Sequence, residues 1–101
     1  MPTWDELRAR DVPCLRCRSA YAIAGPLSAA ARERVKAAVD AGLVIDAIRW
    51  IREDTGAGLG EAKALHEHFV RKQGRCHHCG GALATGELVD CPACGALNVA
   101  W

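Results

Sequence analysis

Six cysteines stand in this chain as three Cys-x-x-Cys pairs, Cys14/Cys17, Cys76/Cys79 and Cys91/Cys94. Two thiols three residues apart in a tight turn can face one point, which suits a tetrahedral metal ion or, with one thiol activated, disulfide exchange. The segments Cys76-His77-His78-Cys79-Gly80-Gly81 and Cys91-Pro92-Ala93-Cys94-Gly95 are two such turns with eleven residues between them. A glycine directly follows the second cysteine of each, where the backbone can take a positive φ and turn its amides toward the sulfurs. Pro92 fixes the second turn further. Cys76, Cys79, Cys91 and Cys94 together make a complete set of soft ligands for one zinc ion. A set of four leaves no open coordination position, so the metal reads as structural. Buried free thiols would leave both glycines without a reason. His77 and His78 read as solvent-facing residues of the first turn.

The pair in Cys14-Leu15-Arg16-Cys17 has no glycine behind it and no fourth pair to face. Three readings stay open. It is half of a second metal site, completed by His66, His68, His77 or His78 or by another subunit; or two plain thiols; or a redox dithiol whose pKa Arg16 and Arg18 lower. The βαβ context of thioredoxin-like dithiols is absent from the pattern. Joining this pair to one of the tail pairs closes a far longer loop than pairing the two tail turns, so the tail set is preferred.

Composition narrows the setting. The chain has 101 residues, half of them hydrophobic, with three Trp, one Tyr and one Phe, so small aliphatic side chains must do most of the packing. Lys plus Arg number 13 against 12 Asp plus Glu, a net charge of +1 that gives no strong basic field for a nucleic-acid backbone. The start Met1-Pro2-Thr3-Trp4-Asp5-Glu6 lacks the basic and apolar runs of a signal peptide. No segment approaches the ~18 apolar residues of a membrane span. The expectation is a cytoplasmic protein, where paired cysteines mean metal or redox chemistry rather than disulfides. No constellation reads as an enzyme active site or as a small-molecule substrate site.

These cysteines must be positioned by the rest of the chain, which punctuation divides into an N-terminal arm (1–26), a helical domain (27–74) and a Gly/Cys-rich ribbon (75–101). In the middle zone Ser28 is a helix N-cap. Ala31, Val35, Ala38 and Val39 then fall on one face, and Gly42 is the left-handed stop. Val44, Ile48 and Ile51 repeat the spacing, flanked by Ile45 and Ala47, until Thr55-Gly56; Asp46, Arg49 and Glu53 lie opposite. After Gly56-Ala57-Gly58-Leu59-Gly60 a third helix carries Ala62, Leu65 and Phe69 inward, with Lys63, Glu67 and Val70 outward. Leu88-Val89 and Ala96-Leu97-Asn98-Val99 read as short strands around the second turn. The expected fold is a small α+β protein, a three-helix unit followed by a C-terminal zinc ribbon. A tail of under ~40 residues needs such a metal to fold.

The stretch from Ile45 to Leu65 resembles the helix-turn-helix hairpin in the C-terminal domain of the bacterial ribosomal stalk protein, over about residues 44–66. Arg52-Glu53, Thr55-Gly56, Gly58-Leu59 and Glu61-Ala62-Lys63 match in register, and Arg49 stands where that family has lysine. The family's flanking strands are missing, Gly60 replaces a lysine, Ala57 replaces a leucine, and Trp50 occupies a position usually smaller or polar. In that family the hairpin docks translational GTPases, and the resemblance carries this surface onto Arg49, Arg52, Gly58, Leu59 and Lys63. Cations around one apolar knob in a turn suit such a contact. The bland alternative is a stable αα unit with a solvated charged face. Trp50, beyond the apolar stripe, is expected either under the ribbon or exposed for a partner, with Trp4 and Trp101 as fillers at the termini. The function expected is therefore a non-catalytic zinc-binding adaptor for a protein partner, associated with the ribosome or a translational GTPase. The alternatives are a nucleic-acid accessory using the ribbon with Arg32, Arg34 and Lys36, and a thiol-redox protein using Cys14 and Cys17.

Overall fold

Helices α1 (Trp4–Ala9), α2 (Ala29–Asp40), α3 (Val44–Thr55) and α4 (Leu59–Glu67) precede strands β1 (Leu88–Asp90) and β2 (Leu97–Val99) in a computed structural model. The structure describes residues 2–17 and 22–100, so the readings placed on Arg18 and Trp101 fall outside it. The architecture is small α+β, with four helices among the described residues rather than three. None of them is long and apolar enough to cross a membrane.

The additional helix is α1. Thr3 caps it by accepting from the Glu6 N–H at 3.1 Å, and Asp5 and Glu6 in the first turn favour the positive end of its dipole. Six residues cannot hold a helix in water alone. Leu7, only 2% exposed, docks it on the core. Just beyond, the Arg10 guanidinium forks onto the two carboxylate oxygens of Asp90 at 3.0 and 2.7 Å. This bidentate pair folds the N-terminal arm against β1 and carries Cys14 toward the sheet. The Trp4 ring lies on Gly25, where any Cβ would overlap it.

Ser28 caps α2, accepting from the Ala31 N–H at 3.2 Å, and buries Ala31, Val35 and Ala38 in register. Gly42 follows the helix at φ 74° and Gly56 ends α3 at φ 70°, both in the left-handed region that glycine enters without strain. The core face of α3 is Ala47, Ile48 and Ile51. Val44, expected inward, is 47% exposed because the helix starts there, at a corner where residues 41–45 all face solvent. In α4, Ala62 and Leu65 are fully buried, but the helix ends before Phe69. Phe69 is buried for another reason: residues 68–70 run alongside β2, with the Val99 N–H donating to the His68 carbonyl and the Val70 N–H to the Val99 carbonyl.

The strands pair antiparallel, Leu88 with Val99, Val89 with Asn98 and Asp90 with Leu97. Arg32 of α2 reaches Glu87 at 2.7 Å, and Leu88, Leu97 and Val99 close over Val35, Ile51 and Leu65 in one continuous core. Trp50 lies neither under the sheet nor bare. It packs partly buried at the α2–α3 flank, with the guanidinium groups of Arg34 and Arg49 5.0 and 5.1 Å from its ring.

Asp54 ties the end of α3 to the start of α2 by accepting from the Ser28 N–H at 2.9 Å and the Ser28 hydroxyl at 2.7 Å. These two donors hold its carboxyl below the usual carboxylate range. A depressed folded-state pKa contributes stability that is fully present above the unfolded value, about pH 4, and lost as pH falls through the folded one. The melting temperature of Asp54→Asn is therefore expected below the parent's at neutral pH, with the gap shrinking in melts taken below about pH 4.

Candidate functional site

Both tail turns are built the same way. The Cys76 N–H donates to Gly81 and the Gly80 N–H to Cys76; correspondingly, the Cys91 N–H donates to Ala96 and the Gly95 N–H to Cys91. Gly80 and Gly95 sit at φ 76° and 80°, the conformation that lets each turn close. The closed turns aim amides at sulfur: the His78 N–H at Cys76 and the Gly81 N–H at Cys79, at 3.4 and 3.3 Å.

The four sulfurs of Cys76, Cys79, Cys91 and Cys94 lie within 4.8 Å of one another. Cys76 and Cys94 are 3.7 Å apart, Cys79 and Cys91 3.6 Å. A tetrahedron with metal–sulfur bonds of about 2.3 Å has edges of about 3.8 Å, so the cluster has the size of a four-coordinate metal site. Its electrostatics agree. Burial opposes ionisation of Cys76, yet the N–H of Cys79, the Asn98 amide and the N–H of His78 bring it down to about 6. Cys91 is lowered chiefly by the Cys94 N–H. At Cys94 the Ala96 N–H favours the thiolate, but burial and the three neighbouring sulfurs outweigh it and push the pKa up to about 12. Four thiolates do not coexist at this spacing without a cation among them, a charge that a divalent metal would supply.

Asn98, fully buried on β2, fastens the site to the sheet. Its amide donates to Cys76 Sγ at 3.4 Å and to the Ala96 carbonyl at 3.0 Å, and its Oδ1 accepts from the His77 N–H at 2.8 Å. Nothing in the sequence pattern marks this residue beyond a polar position in an apolar strand. Replacing it with leucine leaves the half-buried His77 N–H without its acceptor and removes a donor to the Cys76 sulfur. Asn98→Leu is expected to cost about 1–3 kcal/mol in denaturant unfolding and to weaken metal retention against a chelator by about 10- to 100-fold.

His77 does not face solvent freely: its Nε2 meets the Leu97 carbonyl at 2.9 Å, and burial lowers its pKa. His78 is exposed. The N-terminal pair does find a histidine. Cys14, Cys17 and His68 form a second cluster with ligand atoms within 4.8 Å, and His66 lies outside it.

Helices α3 and α4 flank a groove of about 620 Å³ lined by Ile45, Ile48, Arg49, Arg52, Glu53, Leu59 and Lys63, among others. Four of the five expected partner residues thus converge. Gly58 does not line the groove; it is the exposed N-cap of α4, at φ −71°. Ile45 is 82% exposed and Leu59 48%. The helical wheel had set Ile45 beside the core stripe, and its position at the corner after Gly42 turns it outward instead. Arg49 makes an exposed i,i+3 contact of 3.7 Å with Asp46, a pair worth little in water and readily exchanged.

No family model, no curated protein and no solved structure matches the chain.

Proposed function

We propose that this protein is a non-catalytic adaptor, held together by a structural zinc ion on Cys76, Cys79, Cys91 and Cys94, that binds a protein partner in the α3–α4 groove. In this reading residues 75–101 are a zinc ribbon and α3–α4 a stalk-protein-like hairpin. The observation that carries it is the convergence of Arg49, Arg52 and Lys63 on a groove bearing the exposed apolar residues Ile45 and Leu59. Exposed aliphatic side chains ringed by cations fit an acidic segment with an apolar anchor, the apolar contact giving affinity and the charges orientation. The sequence resemblance of this hairpin sharpens the partner to a translational GTPase or the ribosome.

Nucleic-acid binding is the less favoured reading. Of the three cations it would use, Arg32 is paired with Glu87. A net charge of +1 offers little long-range attraction. Purification of the tagged full chain from its own cells tests the choice. A stoichiometric protein with an acidic, apolar segment is expected. Nucleic acid without protein would replace this reading with the second.

A further inference from the structure

We propose that Cys14, Cys17 and His68 bind a second zinc ion, with the fourth coordination position left to water. Three independent parts of the fold meet there. The turn after α1 brings Cys14 and Cys17, the end of α4 brings His68, and β2 supports both. Cys14, 2% exposed, accepts from the Leu97 N–H of β2 and from the Cys17 N–H, each at 3.4 Å. The second of these is an amide-to-sulfur contact within the turn, of the kind seen in the tail turns. His68 is held by its backbone, whose carbonyl accepts from Val99, and is 3% exposed.

The ring of His68 is set for metal. Its Nδ1 lies 2.5 Å from the Ala64 carbonyl, which can only accept, so Nδ1 carries the proton and Nε2 keeps the lone pair. Nε2 is the atom that faces Cys17 Sγ, at 3.4 Å. An imidazole whose far nitrogen donates to a carbonyl is the arrangement that orients a metal-bound histidine and raises its basicity. Two thiols and one such nitrogen match the ligand preference of zinc, and binding would release the two thiol protons.

A fourth protein ligand is not at hand among the described residues. The next imidazole, His77, packs edge-on at 5.3 Å from the His68 ring and holds the Leu97 carbonyl with Nε2. Cys17 is exposed, so the cluster opens to solvent on its side. A three-ligand site open to water exchanges metal faster than a closed four-cysteine site. The two zinc ions should therefore leave in separate phases.

The test is zinc content and release for the full chain, purified under reducing conditions, then challenged with a chelator. The parent is expected to hold two zinc ions and to lose one well before the other. Cys17→Ser, at an exposed position, should hold one and lack the fast phase while keeping its helicity. Cys17→His should restore both the second ion and the fast phase. One zinc in parent and Cys17→Ser alike would overturn the second site and leave the tail site standing. Two zinc ions in Cys17→Ser, or a Cys14–Cys17 disulfide in protein taken from cells under alkylation, would overturn it equally.

Discussion

Cys91→Ala is expected to lose at least one zinc ion per chain and the order of residues 75–100 with it, and the second site, which leans on β2, should loosen as well. A structural four-ligand zinc contributes about 10–16 kcal/mol of folding free energy, comparable to or above the whole ~5–15 kcal/mol stability of a domain. Cys91 directly follows β1, and its sulfur stands 3.6 Å from Cys79, so its removal opens the cluster and unpins the sheet together. The effect should not stop at the tail. Leu88, Leu97 and Val99 belong to the same core as Val35, Ile51 and Leu65, so the helices lose their cover. Arg10 keeps its partner Asp90 only while β1 is ordered. Metal analysis together with hydrogen exchange checks both halves: loss of at least one zinc, and loss of amide protection in the tail and, more weakly, in α2–α4. Unchanged zinc content would reject the four-cysteine assignment.

The combined change Arg49→Ala, Leu59→Ala and Lys63→Ala is expected to leave the fold standing and to abolish partner binding. All three side chains are exposed, and surface substitutions of this kind usually shift stability by no more than about 0.5 kcal/mol each. Arg49 also covers Trp50, which adds a further loss of about 0.5–1 kcal/mol. Binding should respond far more. Contacts at the centre of an interface cost about 1–3 kcal/mol each when truncated, so three together weaken affinity by about 100-fold or more. Calorimetric titration of the purified partner, with circular dichroism and zinc analysis on the same samples, separates the two effects. Full affinity in the triple variant, or collapse of its helicity, would mean that the groove is scaffold.

The sequence spoke most clearly where local chemistry decides. Ser28, Gly42 and Gly56 bound two helices by capping rules that depend on a few neighbouring residues, and the 3.6-residue period of Ala31, Val35 and Ala38 needs no tertiary information. The tail cysteines with their following glycines are likewise a short-range signal. Helix α1 was illegible because six residues carry no period; its existence depends on Leu7 finding the core and Arg10 finding Asp90. The choice of His68 among four histidines was equally out of reach, since it requires residues 68–70 to lie along β2. Val44 and Ile45 show the limit of a helical wheel. Periodicity identifies a stripe but not where the neighbouring helix stops covering it, and both residues fall past that edge. Asn98 escaped for a related reason, because two of its three hydrogen bonds, with Cys76 and His77, join segments that meet only in the folded chain.

The claim that the α3–α4 groove is the business face of this protein is tested most directly by a photo-reactive side chain placed at Ile45, the most exposed of its large apolar residues. The control is the same group at Glu33, on the exposed face of α2. In cells of the source organism, position 45 is expected to cross-link to one protein, through an acidic segment carrying an apolar residue, and position 33 to none. A partner that cross-links from position 33 and not from 45 would contradict the account.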